Sequence, residues 1–202
     1  MRLPLSSVAF VTTVLFLAGL SAAQAQDLRR APGESDLAFV TRALKLSDES
    51  DAHVTAAKWN AVPTLFVDYQ TGSDNDDDAE RPIVALQQEP TGLYREIQVT
   101  VGEQEGGVPD LLAVGFARAE QKPVQDLIVI LAWGQTHATV SGTFYEVRIF
   151  APPAPGETAL TLLPISKKFG TECDCTWDDG TSKHFRFKTI ASIKAGLKQL
   201  GY

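Results

Sequence analysis

Asp126-Leu127-Ile128-Val129-Ile130-Leu131-Ala132 is apolar at every position after the first. It lies between two stretches that alternate, Tyr94-Arg95-Glu96-Ile97-Gln98-Val99-Thr100-Val101 and Thr143-Phe144-Tyr145-Glu146-Val147-Arg148-Ile149-Phe150. An alternating run buries one face of a strand, whereas a continuous apolar run is covered on both faces and lies centrally. These segments predict a β-sheet core with 126–132 inside it and 94–101 and 143–150 each half-buried. Further short apolar runs bounded by turn residues, at 64–69, 82–87 and 111–116, extend the strand set.

The strands occur twice in the same order. Leu65–Tyr69, an acidic loop, Ile83–Leu86 and Tyr94–Val99 make one set; Leu112–Phe116, a polar loop, Leu127–Leu131 and Phe144–Ile149 make the other. The third strands share aromatic-x-Glu-apolar-polar-apolar, so the period is near 50 residues. Helices flank this region. Ser35 caps a short helix carrying Leu37, Val40 and Leu44, and Thr189 caps a second with Ile190, Ile193, Leu197 and Leu200 on one stripe, ended by Gly201. The expected fold is α+β: antiparallel sheet built from two similar three-strand units, with an N-terminal helix and a C-terminal amphipathic helix packed on it. Leu160–Ile165 and His184–Lys188 read as further strands, and Ala151–Glu157, with three prolines, as a connector.

The first 25 residues have the form of a secretory signal: Arg2, an apolar run from Val8 to Leu20, and Ala23-Gln24-Ala25. The apolar run is shorter than the ~20 residues that span a bilayer, so cleavage is expected and no membrane span should remain. The expected organisation is signal peptide 1–25, flexible leader 26–34 and one globular domain 35–202. The product would be periplasmic or secreted.

The chain of 202 residues has a formal net charge of −7. This acidity argues against nucleic acid as a partner, because phosphate binding depends on Lys and Arg. Residues 167–202 run the other way, with seven Lys or Arg against four Asp or Glu, and could face an acidic partner.

Two short motifs are candidates for chemistry. Asp74, Asp76 and Asp78 place alternate carboxylates in the first loop, the donor type that Ca²⁺ uses, although Ala79 stands where the turn glycine of such a loop is expected. A solvated acidic hairpin loop is the competing reading. Cys173-Asp174-Cys175 in the loop 170–180 reads as a clip, as a redox pair, or with His184 as a soft-metal site. Export favours the oxidised pair. No local motif of a hydrolase or nucleotide enzyme is present; the one cluster worth inspecting is His137, Ser141 and Glu146.

Val114-Gly115-Phe116, the polar loop and Gln125-Asp126-Leu127-Ile128-Val129 resemble the core of FG-GAP-type repeats, the units of integrin-like propellers. The likeness covers about residues 62–150 and implies extracellular binding with Ca²⁺ in the inter-strand loop. The second loop, Arg118–Pro123, lacks the carboxylates, so it carries over no second ion, and two units cannot close a propeller. An exported, non-enzymatic binding protein is therefore expected, recognising an envelope or extracellular protein or glycan in the manner of an inhibitor or immunity protein. The alternative is an exported hydrolase or redox protein working through His137/Ser141 or Cys173/Cys175. Oligomeric state is not legible.

Overall fold

The computed structural model describes residues 28–47, 50–72, 78–103, 107–120 and 122–202. The expected signal peptide, and Asp74 and Asp76 of the acidic loop, lie outside them. Helix α1 (Asp36–Leu44) precedes strands β1 (His53–Trp59), β2 (Val62–Asp68), β3 (Arg81–Gln88) and β4 (Tyr94–Gly102), which form one antiparallel sheet in sequence order. Strands β5 (Asp110–Ala117), β6 (Asp126–Thr136), β7 (Val140–Phe150), β8 (Thr171–Trp177) and β9 (Ser182–Lys183) form the second, also in sequence order, followed by helix α2 (Ile190–Gln199). The two predicted three-strand units are β2–β4 and β5–β7, one in each sheet.

The sheets face each other. Phe66, Ile83, Ile97 and Val99 of the first share one cluster with Leu127, Val129, Leu131 and Phe150 of the second. Each outer face is covered by a helix: Phe39 and Val40 of α1 pack on Leu65, Val67, Val84 and Leu86, and Ile193 and Leu197 of α2 pack with Ile128, Ile130, Val147 and Ile149. The result is four layers, helix, sheet, sheet, helix. The continuous apolar run of β6 follows directly, because its odd-numbered residues face the other sheet and its even-numbered ones face α2.

Local signals explain the helices. Ser35 Oγ accepts from Ala38 N at 3.2 Å, and Lys45 closes α1 with a left-handed backbone. Thr189 and Ser192 form a capping box on α2, and Gly201, at φ 89°, turns the chain so that Tyr202 N donates to Leu197 O. Gly115 of β5 makes room for α2, since a Cβ there would lie 2.5 Å from the Ile190 side chain. Among the described residues, no helix is long and apolar enough to cross a membrane.

Five features differ from the sequence reading. Strand β1 was not expected, because it is a sheet edge exposed along most of its length and carries no periodic apolar pattern. His184–Lys188 is not a strand, although Phe185 and Phe187 are driven inward against Tyr145 and Phe169; the alternation there reflects burial without ladder pairing. Leu160–Ile165 contributes only an isolated bridge, Leu162 to Phe150, before a 3₁₀ turn at Pro164–Lys168. The described part of the leader is held in place: Leu28 O accepts from Tyr94 N at 2.8 Å, and Glu34 pairs with Arg42 at 3.0 Å. Matched residues of the two units also take different faces. Ile97 and Val99 point between the sheets, while Val147 and Ile149 point outward to α2.

Candidate functional site

Strands β6 and β7 are each 11 residues long, against 9 for the longest strand of the first sheet, and their part in the cluster shared between the sheets ends at Trp133 and Phe144. Directly opposed residues in an antiparallel ladder share a face. The register pairs Trp133 with Phe144 and Gln135 with Gly142 between β6 and β7, then Phe144 with Cys173, Gly142 with Cys175 and Val140 with Trp177 between β7 and β8. All of these therefore lie on the inner face. Trp133 and Phe144, whose rings meet edge to face at 5.8 Å, mark the rim of the shared core.

Beyond that rim lies a cleft of about 310 Å³, lined by Gln135, His137, Val140, Phe144, Cys173, Cys175 and Trp177. Every one of these residues comes from the second sheet and its β6–β7 turn. The floor is apolar, two aromatic rings and a pair of sulfurs, and the polar groups are few. His137 Nε2 lies 3.0 Å from Gln135 Oε1, which fixes an imidazole and an amide at one edge. A mostly apolar concavity with a few placed polar groups is the usual form of a small binding site.

Cys173 and Cys175 are joined as a disulfide with their Cα atoms 5.3 Å apart. The segment expected as a loop is a strand, paired to β7 on one side and β9 on the other. Residues two apart in an extended strand are separated by about 6.6 Å, so the bridge shortens β8 locally. Gly142 admits it. A Cβ at that position would lie 2.8 Å from Cys175 Sγ and 2.7 Å from Cys175 Cα. A loop this small removes little entropy from the unfolded chain, about 1.5 kcal/mol, so stability alone does not account for the bridge.

The opposite face of β8 holds a separate ionic group. Asp174 accepts from Lys188 Nζ and contacts His184 Nδ1 at 2.9 Å, and these hydrogen bonds, the one from Lys188 first, hold its carboxyl below the ordinary range. His184 is thus engaged away from the sulfurs, and the structure does not bring the three together as a ligand set. Ser141 is not brought to His137 either: it opposes Thr136 and Thr176 on the outer face, and Glu146 is paired with Arg148 at 2.7 Å. His137 does come together with the cysteine pair. Asp78 is described, and among the described residues no three acid, His or Cys side chains are grouped to hold a metal.

Sequence reasoning missed Gln135, Phe144 and Trp177 as neighbours of the cysteines. Their signal was the alternation Cys173-x-Cys175-x-Trp177, which places all three on one face. It also missed a buried ion cluster at the far end of β2 and β3. Arg81 Nη1 donates to Asp68 Oδ2 at 2.8 Å and Arg81 Nη2 to Asp51 Oδ2 at 3.3 Å, with His53 Nδ1 3.4 Å from Asp68. Asp126, buried at the start of β6, accepts from the N–H groups of Ala119 and Glu120 at 2.7 and 3.1 Å. Burial pushes its carboxyl up, against those hydrogen bonds. In the motif resembling an FG-GAP repeat, this aspartate therefore staples the loop that precedes its own strand.

No protein-family model, curated protein or solved structure matches the chain.

Proposed function

We propose that this is an exported binding protein, periplasmic or secreted, which holds a protein or glycan partner in the cleft on the overhanging end of the second sheet. The observation that carries this reading is the cleft itself. Helices cover the outer faces of both sheets, whereas Phe144, Trp177 and the Cys173–Cys175 bridge form an apolar floor left open by the described residues. Its volume, about 310 Å³, is at the lower end of the range for small binding sites. One ring-sized group of a partner, an aromatic side chain or a sugar, fits that space, with Gln135 and His137 offering hydrogen bonds at its edge. Inhibition of a toxin or envelope enzyme is the proposed use, in the manner of an immunity protein. Ca²⁺ at Asp74, Asp76 and Asp78 belongs to the same proposal on the strength of the alternate carboxylates alone.

The test is capture from the native envelope, read by mass spectrometry, with the wild-type protein and Trp177→Ala as parallel baits. Central aromatic anchors contribute about 2 kcal/mol or more to an interface, so the variant should lose roughly 30-fold in affinity. A partner retained by the first bait and lost by the second supports the reading. Equal capture by both baits, or turnover of a cell-wall substrate by the purified protein, overturns it.

A further inference from the structure

The cysteine pair lies where a chemical function fits better than a structural one. It joins residues only two apart, so it restrains the fold little, yet it sits on the floor of the open cleft and draws its own strand in to 5.3 Å between Cα atoms. The two sulfurs are also unequal. Cys175 is 2 % exposed and packed against Gly142, whereas Cys173 is half-buried at the cleft.

We propose that Cys173–Cys175 is an exchangeable disulfide, attacked by an external thiolate at Sγ of Cys173. In that step a bond forms between the incoming sulfur and Cys173 Sγ while the Cys173–Cys175 bond breaks. The electron pair leaves on Cys175 Sγ, which takes a proton from solvent. A second thiolate attacks the incoming sulfur of the mixed disulfide, releases the oxidised thiol and leaves Cys173 as a thiolate. The protein gains two electrons and the two thiols lose them, so the step balances with the thiol as sole reductant. Attack at an accessible sulfur of a constrained bridge is the favoured route of exchange.

Reduction has a structural consequence. Freed of the bridge, β8 relaxes toward the ordinary spacing of about 6.6 Å between alternate Cα atoms, which moves the part of the cleft floor that β8 supplies. The effect on a partner rests on the binding role of the cleft; the exchange chemistry does not.

The experiment exposes the folded full-length protein, without denaturant, to graded mixtures of reduced and oxidised glutathione, followed by acid quench, alkylation and intact mass. The expected result is reversible reduction with an unchanged far-ultraviolet spectrum and a glutathione adduct that fragment ions place on Cys173. In the single-cysteine variants, Cys175→Ser should form the adduct at least about tenfold faster than Cys173→Ser, because access governs the rate. Should either variant fail to fold, adduct mapping on the wild-type protein decides the matter alone. A bridge that yields only after unfolding, or an adduct divided evenly between the two sulfurs, overturns the proposal. Neither result would touch capture of a partner by the oxidised protein.

Discussion

Replacing Asp68 with Asn tests whether the buried charges of the first sheet are held by their partners or merely tolerated. The side chains of Asp68 and Arg81 are only 7 % and 5 % exposed and meet at 2.8 Å. Burial works to strip the charge from Arg81, and the hydrogen bonds it donates to Asp68 and then Asp51 outweigh it, so the guanidinium stays charged. Removing one partner of a buried pair leaves an uncompensated charge and costs about 3–5 kcal/mol. Asp51, itself 61 % exposed, remains 3.3 Å from Arg81 Nη2, so the low end applies here, about 3 kcal/mol.

For a chain of this length that loss lowers Tm by roughly 6–12 °C. The double variant Asp68→Leu/Arg81→Met removes both charges and fills the space with apolar atoms. It should lie within about 1 kcal/mol of the wild type. Urea unfolding followed by circular dichroism at neutral pH measures both. The reasoning fails if Asp68→Asn costs less than about 1 kcal/mol, or if the double variant is as damaged as the single one.

Two further substitutions probe the second sheet. Gly142→Ala should destabilise by about 1–3 kcal/mol, because the added Cβ meets the backbone first, Asp174 O and then Cys175 Cα at 2.7 Å, and only then the Cys175 sulfur. The same loss should therefore persist in a Cys175→Ser background, as a thermal melt of both pairs would show; full relief there would contradict the backbone clash. Asp126 has a folded pKa raised above the ordinary value of 3.8 by burial, so between the two values the native state holds a proton that the unfolded chain has released. That contribution falls as pH rises from the ordinary carboxylate range through the raised folded value, and is constant above it. Asp126→Asn removes this loss, so it should gain on the wild type across that window in urea midpoints measured at successive pH values. A difference that is flat with pH, or that runs the other way, would refute the assignment.

How much of this was legible depends on where each residue's environment comes from. Leu127 to Leu131 announced their strand because both of its faces are filled, one by the opposing sheet and one by α2, and an all-apolar run has few other uses. Ser35 and Thr189 announced helix starts because capping is local, a side chain reaching a backbone N–H three residues on. Strand β1 was silent for the opposite reason. Its partner β2 supplies the pairing, and its hairpin turns at Asn60-Ala61, both with positive φ, without the glycine that usually marks such a turn. What fastens this hairpin is long-range: Trp59 Nε1 and Asn60 Nδ2 both donate to Gln125 O, in the loop before β6.

The cleft belongs to that second kind of property. Cys173, Cys175 and Trp177 lie on one face by simple alternation, and the sequence contains that much. Whether that face is core or site depends on whether the other sheet reaches it. The answer rests on strand lengths in two separate sheets, 11 residues against 9, and on where their register places Phe144. No local pattern encodes a difference in reach between two layers. Motif reading therefore found the cysteines and His137 as unrelated oddities, and only the fold makes them neighbours. The same fold turns Ser141 and His184, which motif reading had attached to them, to the other side of the sheet.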